Sequence, residues 1–367
     1  MEIENQGITT LGKSKPVPSV QELVKESLEK VPNRYIQLNQ EPPFLEGKDD
    51  FNDSNDLQVP IINMDTLLNG DDLELEKLHS ACQEWGFFQV VNHGVDKSMV
   101  EKLKMDTEVF FNQPLEEKKK YSQTANDVEG YGQAFVGSEE QKLDWADIFM
   151  FTTRPKHLRR PHLLPMLPHS YRDTIENYSI ELKDLATKLL NCLAKALKID
   201  PKVLRGAFGD EGLQSLRMNY YPPCPQPDKV IGLTPHSDAV TLTILLQFNE
   251  IVGLQIRRDD KWVSVNPLPH AFVVNVGDIL EIATNGMYRS ILHRAIVNAT
   301  KERISIAAFH MPPIDAEIGP IPELITPGTR ARFRRINVTD YYKGYFSRSL
   351  DEKSYLDAMR INENDNI

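Results

Sequence analysis

Apolar residues recur at helical spacing through the first third of the chain: Leu75, Leu78, Cys82 and Trp85, then Val100, Leu103 and Val109. Ser19 with Glu22 three positions on reads as the capping-box start of an earlier helix. A Pro-, Asp- and Gly-containing stretch from Gln40 to Leu57 reads as a linker or loop, followed by a short strand, Val59 to Ile62. From Ser170, with Asp173 as its box partner, a long amphipathic helix carries Ile175, Tyr178, Leu182, Leu185, Leu189, Leu190 and Leu193 on one stripe. Such a helix fits the outside of a sheet.

After Leu213 the period changes. Short apolar runs alternate with turn residues: Leu216–Tyr221, Thr241–Leu246, Leu254–Arg257, Trp262–Val265, Phe272–Val276, Ile291–Val297 and Ile304–Phe309. Asp259-Asp260 and Val276-Gly277-Asp278 are tight-turn signals. Short strands at this spacing without intervening helices predict an antiparallel sandwich or jelly roll and argue against a parallel sheet with crossover helices. Asp340 to Met359 returns to helix. The expected class is therefore mixed α/β (α+β), a β-barrel core flanked by N-terminal and C-terminal helices. Its expected parts are 1–57, a helical extension and linker; 58–165, an N-terminal region; 166–330, the core with its long supporting helix; and 331–367, a C-terminal helical lid.

Composition narrows the function. Forty-two Lys and Arg stand against 53 Asp and Glu, a net charge of −11 that disfavours nucleic-acid phosphates. The first residues lack a basic and apolar leader, and no apolar run is long enough to span a bilayer, so no membrane partner and a cytoplasmic location are expected. Cys82, Cys192 and Cys224 are far apart and odd in number, as expected of reduced thiols, with no zinc or disulfide framework. A small-molecule substrate and a monomer or weak dimer are the default expectation.

His236-Ser237-Asp238 places an imidazole and a carboxylate two residues apart, on one face of an extended chain. Alone this pair could equally be a surface turn residue beside a carboxylate. His293, on a distant strand, completes two histidines and one carboxylate, the set that leaves three positions open on Fe(II) for a chelating substrate and oxygen. Ten residues on, Arg303 and Ser305 share a strand face. A bidentate guanidinium beside a hydroxyl suits the distal carboxylate of a dicarboxylic keto acid whose other end chelates the metal. Asn219 and Tyr221 share a face just upstream and could add hydrogen bonds, although Tyr221 could equally be a core aromatic. His93 has no metal spacing to the triad and reads as a satisfied structural histidine.

The runs EWGFFQVVNHGV, MNYYPPCPQP, GLTPHSDAVTLTILLQ, VNVGDILEIATNG and SILHRAIVN followed by ERISIAAF resemble the plant 2-oxoglutarate- and Fe(II)-dependent dioxygenases. The resemblance runs from about Pro18 to the end. It implies a double-stranded β-helix (jelly-roll) core, His236, Asp238 and His293 as iron ligands, Arg303 and Ser305 as the 2-oxoglutarate anchor, and Tyr221 and Asn219 as lesser contacts. The N-terminal strand departs from the usual Pro-Val-Ile-Asp-Leu, reading Pro60-Ile61-Ile62-Asn63-Met64, outside the active-site motifs. GYGQAFVGSEEQKLDWADIF and RRPHLLP are similar to the branch that includes alkaloid O-demethylases, flavonoid oxidases and a strigolactone-pathway oxidoreductase.

The resemblance implies Fe(II), 2-oxoglutarate and O2 as cofactor and co-substrates, with ascorbate as reductant and succinate and CO2 as products. The expected reaction is hydroxylation, O-demethylation or desaturation of a bulky alkaloid, flavonoid or terpenoid. Phe309, where relatives stack an aromatic substrate, and Met311, Tyr131, Phe135 and Phe149 at the mouth are the expected pocket residues, with Asp144 and Trp145 ordering the lid. Two other readings stand beside it: an ascorbate-dependent oxidase on the same triad, and a non-catalytic small-molecule receptor of the same fold.

Overall fold

The computed structural model describes residues 14–26, 28–37, 58–124, 127–133, 136–208, 212–326, 328–347 and 355–361. The Gln40–Leu57 linker and Phe135 lie outside them. Twelve strands build the core: β1 (Ile61–Asn63), β2 (Phe87–Val91), β3 (Gly130–Gly132), β4 (Asp147–Arg154), β5 (Leu213–Tyr221), β6 (Leu233–His236), β7 (Leu242–Gln247), β8 (Leu254–Arg258), β9 (Lys261–Ser264), β10 (Phe272–Val276), β11 (His293–Ala295) and β12 (Arg303–Met311). Eight form one sheet in the order β1-β2-β10-β7-β12-β5-β4-β3, and four form a second, β6-β11-β8-β9. Only the β1–β2 pair among these ladders is parallel.

Every residue of β5 and of β10 is buried, because both faces of the large sheet are covered. Outward residues such as Leu216, Met218, Leu242, Ile244, Phe272, Val274, Ile304 and Ile306 join one apolar cluster with Tyr178, Leu182, Leu185 and Leu189 of the long helix. Inward residues Phe87, Leu245, Val273, Ala307 and Phe309 meet Leu254 and Ile256 of the small sheet in a second cluster. The two sheets thus face each other, and the jelly-roll arrangement expected from the strand spacing is present.

The helices are α1 (Val20–Lys25), α2 (Met64–Leu68), α3 (Asp72–Ser80), α4 (Lys97–Phe111), α5 (Leu115–Lys119), α6 (His169–Ala196), α7 (Pro201–Phe208), α8 (Asp278–Ala283), α9 (Val338–Ser347) and α10 (Leu356–Met359). Ser19 caps α1 by accepting the Glu22 N–H at 3.3 Å, as its spacing predicts. The capping box expected at Ser170 and Asp173 does not form. The helix begins one residue earlier behind Pro168, Ser170 Oγ accepts from Lys102 Nζ at 2.9 Å, and Asp173 pairs with His169 at 2.7 Å. Val109 is 63% exposed, because Phe110 and Phe111 take the buried stripe with Val100 and Leu103. The predicted C-terminal helix is two helices, α9 and α10, around residues outside the described set.

Strand β2, in the third read as helical, and strands β3 and β4 just beyond it extend the large sheet and were not predicted; their residues share one core with the C-terminal half. Asp259 and Asp260 both adopt left-handed backbone (φ 46° and 60°) between β8 and β9, the two-residue hairpin their sequence signals. Among the described residues no helix is long and apolar enough to cross a membrane.

Candidate active site

β6 ends on His236 and β11 begins on His293, and these two residues are cross-strand partners. Asp238 follows two residues after His236, in a turn held by backbone bonds from Asp278 N to Asp238 O (2.8 Å) and from Gly277 N to Thr241 O (3.0 Å). Gly277 permits that approach: a Cβ there would lie 2.0 Å from the Val240 carbonyl oxygen. One ligand atom from each of His236, Asp238 and His293 lies within 4.8 Å of the others.

The hydrogen bonds orient all three. His236 Nδ1 donates to Thr234 O at 2.8 Å and His293 Nδ1 to Ile291 O at 3.1 Å, which turns both Nε2 atoms to the centre. Asp238 Oδ2 accepts from Thr243 Oγ1 at 2.6 Å and Asn275 Nδ2 at 2.8 Å. Oδ1 is left facing His236 Nε2 at 3.5 Å and His293 Nε2 at 3.7 Å. Burial raises the Asp238 carboxyl, but His293, His236 and the Thr243 hydrogen bond outweigh it and hold the group well below the usual carboxylate range. Burial first, then His236, pushes His293 down to about 4 against the pull of Asp238, so the imidazole is neutral at pH 7. His236 Nε2 is buried and makes no hydrogen bond among the described residues. Two imidazole nitrogens and one carboxylate oxygen that face one another, one of them without a hydrogen bond, fit a divalent cation. Cys82, Cys192 and Cys224 are buried elsewhere and supply no thiolate.

The cleft between the sheets encloses about 440 Å³ including its mouth. Arg303, Ser305, Asn219 and Tyr221 all line it, on paired strands where Arg303 faces Tyr221 and Ser305 faces Asn219. Asn219 Nδ2 donates to Ser305 Oγ at 3.3 Å, leaving Asn219 Oδ1 without a partner. Arg303 is buried with one Nη on Gln247 Oε1 at 2.8 Å, its Nε orphaned and no carboxylate paired with it among the described residues. Its guanidinium carbon lies 5.3 Å from the Tyr221 ring centroid. A desolvated guanidinium without a counter-charge is a ready site for a ligand carboxylate.

The pocket residues expected from sequence divide. Phe309 lines the cleft, and Met311 shares its face at the end of β12 without lining it. Phe149 and Tyr131 belong to the other face, and the expectation is corrected for both. Phe149 stacks on Phe110 with centroids 4.4 Å apart, and the Tyr131 hydroxyl donates to Ser19 Oγ and Asp147 Oδ2, each at 3.2 Å. Phe149 pairs with Met218 on β5, whose side chain points to α6; the register therefore sends Phe149 and its partner Tyr131 away from the cleft. Asp144 and Trp145 order strand ends: Asp144 Oδ1 accepts Thr234 N and Oγ1 (3.1 and 2.6 Å) beside His236, and Trp145 Nε1 donates to Pro222 O at 3.2 Å. His93 is satisfied by Val95 N and His270 O, as expected of a structural histidine. Sequence reasoning missed Thr243, Asn275, Gln247 and Arg217, which line or support the cleft; the polar residue at alternate positions of otherwise apolar strands was their one signal.

This fold and this donor set are those of a mononuclear non-haem iron oxygenase. Residues 59–167 match the family described as the N-terminal region of the non-haem dioxygenase in morphine synthesis, and residues 212–312 match the 2OG-Fe(II) oxygenase superfamily. The chain belongs to that superfamily, as a 2-oxoglutarate-dependent dioxygenase, and is an oxidoreductase. It is 54% identical to Protein SRG1 of Arabidopsis thaliana, over 94% of this chain and 96% of that protein. It is 52% identical to oxoglutarate-dependent flavonoid 7-O-demethylase 1 of Ocimum basilicum (96% and 93%) and 50% identical to codeine O-demethylase of Papaver somniferum (98% and 100%). A crystal structure of JOX2 in complex with 2OG, Fe and JA superposes with a TM-score of 0.84 at 34% identity, covering 95% of this chain and 99% of that one.

Proposed function

We propose that the protein couples oxidative decarboxylation of 2-oxoglutarate, to succinate and CO2, to oxidation of a bulky plant specialised metabolite: hydroxylation, O-demethylation or desaturation of an alkaloid, flavonoid or terpenoid. The observation that carries this is the cleft itself, where Asp238, His293 and the uncompensated Arg303 share one space with an apolar wall of Phe87, Leu233, Leu245, Leu254 and Phe309, and His236 Nε2 lies 3.5 Å from Asp238 Oδ1. The names of the flavonoid and codeine demethylases support the substrate class.

His236, Asp238 and His293 would hold Fe(II), with ascorbate as reductant. Bound iron supplies oxygen activation and removal of a substrate hydrogen. Arg303 takes the distal carboxylate of 2-oxoglutarate as a bidentate pair, and Ser305, Asn219 and Tyr221 hold its remaining lone pairs. Thr243 and Asn275 fix Asp238 so that one oxygen faces the metal. Phe309 presents a ring to the organic substrate, and the buried walls keep bulk water from the reacting carbon. Segments 58–165, 166–330 and 331–367 work as one unit around this cleft, in a cytoplasmic monomer or weak dimer; the three buried free thiols are in keeping with a reducing compartment.

The test is succinate formation by iron-loaded protein given 2-oxoglutarate and oxygen, across methoxylated alkaloids, flavonoids and terpenoids, with formaldehyde measured in parallel. Succinate that rises with one class names the substrate class, and matching formaldehyde marks O-demethylation. No stimulation by any class overturns the substrate reading.

A further inference from the structure

The turn that carries Asp238 is held from two sides. Every backbone carbonyl from residue 238 to residue 241 has a donor. Three consecutive amides at the start of α8 supply three of them: Asp278 N to Asp238 O at 2.8 Å, Ile279 N to Val240 O at 3.1 Å and Gly277 N to Thr241 O at 3.0 Å. The fourth, Ala239 O, accepts from the Tyr342 hydroxyl at 2.6 Å. That donor is a side chain on α9, 103 residues further along the chain and beyond the last strand of the jelly roll.

Tyr342 is buried, and its ring is fixed by its neighbours: edge-on to Tyr341 with centroids 5.3 Å apart, and stacked on Phe346 at 6.1 Å. The start of α9 is tied down separately, by Val338 N on Ala316 O at 2.9 Å and Thr339 Oγ1 on Ile314 O at 3.0 Å. A fixed ring thus delivers a hydroxyl to the carbonyl next to a metal ligand. A phenylalanine would fill nearly the same space without burying an oxygen, so what the hydroxyl adds is its hold on the turn. Tyr341 is the contrast on the same helix: it is fully buried, and its hydroxyl makes no hydrogen bond among the described residues.

We infer that Tyr342 is a positioning residue for the metal site. Its bond to Ala239 O keeps the 238–241 turn in the arrangement that faces Asp238 Oδ1 to His236 and His293, and so links the docking of α9 to metal binding. This rests on the proposed metal site of His236, Asp238 and His293 and deepens it. A turn released from one of its four anchors spends part of its time in arrangements that do not present Oδ1, and the apparent affinity falls with the competent fraction. By reciprocity, a metal on the three ligands tightens the hold on α9.

The test compares the full-length wild type with Tyr342→Phe and Tyr341→Phe, each of which loses one buried oxygen from the same helix and keeps its ring. Affinity for Mn(II), a redox-silent probe, is measured by competition with a graded chelator, and thermal unfolding of the metal-free proteins follows the fold. Tyr342→Phe should bind Mn(II) about three- to ten-fold more weakly, the range of one neutral hydrogen bond, while Tyr341→Phe keeps the wild-type affinity. Hydrogen exchange reads the link from the other end: Mn(II) should slow exchange of the α9 amides in the wild type, and slow it less in Tyr342→Phe. Wild-type affinity in Tyr342→Phe overturns the proposal even if that variant melts lower, because the hydroxyl then serves the fold alone. An equal loss of affinity in both variants also overturns it, since ring packing and not the bond would be responsible. So does exchange in wild-type α9 that ignores Mn(II), a result that needs no substitution. Asp238→Ala tests the parent reading separately: if the wild type binds Mn(II) and this variant does not, the triad stands whatever Tyr342 does. A wild type that binds no Mn(II) removes the triad and the role of Tyr342 together.

Discussion

The two faces of the eight-stranded sheet are both buried, yet they are built from opposite chemistry. On the outer face Leu216, Met218, Leu242, Ile244, Val274, Ile304 and Ile306 pack against α6 as one apolar cluster. On the inner face the same strands present Arg217, Asn219, Thr243, Asn275, Arg303 and Ser305, all under about a tenth exposed. Burying polar groups is unfavourable unless they are paired. The inner face leaves Asn219 Oδ1, Arg217 Nε, Arg303 Nε and His236 Nε2 without hydrogen bonds. The outer face leaves Tyr178 Oη and His310 Nε2, which lie apart, whereas the inner-face atoms gather around the cleft and the three candidate metal ligands. Stability and chemistry are carried by alternate residues of the same strands, and that separation can be attacked directly.

The largest effect is expected from Asp238→Ala. It removes one metal ligand and leaves two imidazoles facing no carboxylate, so succinate formation should fall below detection, and iron retained after dialysis should fall with it. Full turnover in this variant would remove the triad from the mechanism. Arg303→Ala comes next. Truncating one member of a buried charge pair costs about 2–5 kcal/mol, which is about thirty-fold to several-thousand-fold in the 2-oxoglutarate KM at about 1.4 kcal/mol per factor of ten. The organic substrate's KM should move far less; equal shifts in both would place Arg303 outside the co-substrate site.

A smaller effect separates holding the metal from orienting its ligand. Asn275→Ala removes the 2.8 Å donor to Asp238 Oδ2 and leaves Thr243 in place. Loss of such an outer contact lowers metal affinity about 10–100-fold. Competition with a graded chelator measures this, and a variant that keeps wild-type affinity would reduce Asn275 to a packing role.

The same two faces explain what was legible in the sequence. Site residues two apart in the chain, His236 with Asp238 and Arg303 with Ser305, reveal their common face through the two-residue period alone. Thr243 and Asn275 do not, because their partner Asp238 is fixed by the order of strands β7 and β10, which no spacing states. Tyr131 and Phe149 show the other limit. Alternation tells that they can share a face with a neighbour, but β4 is buried on both sides, so the pattern carries no sign of which face is the cleft. The strand β4 itself went unread for the same reason: DIFMFTTR lacks the apolar and polar alternation of a half-exposed strand. The Ser170–Asp173 box failed because Pro168 sets the first turn and Lys102 claims the serine.

The smallest predicted effect bears hardest on the comparison. Ile306 is fully buried on the outer face, paired with Met218 and Leu246, and its chain neighbours Ser305 and Ala307 point into the cleft. Ile306→Val removes one methylene from the apolar side and should destabilise the fold by about 0.5–1.5 kcal/mol. If the faces act separately, denaturant unfolding shifts by that amount while kcat and both KM values per folded molecule stay at the wild-type level. A close-packed core resists small changes in volume and transmits strain, so the backbone of β12 is the route by which the two faces could be linked. A change in the 2-oxoglutarate KM with little loss of stability would show that packing beneath Ser305 sets the anchor's position. The outer face would then belong to the site as much as the inner one.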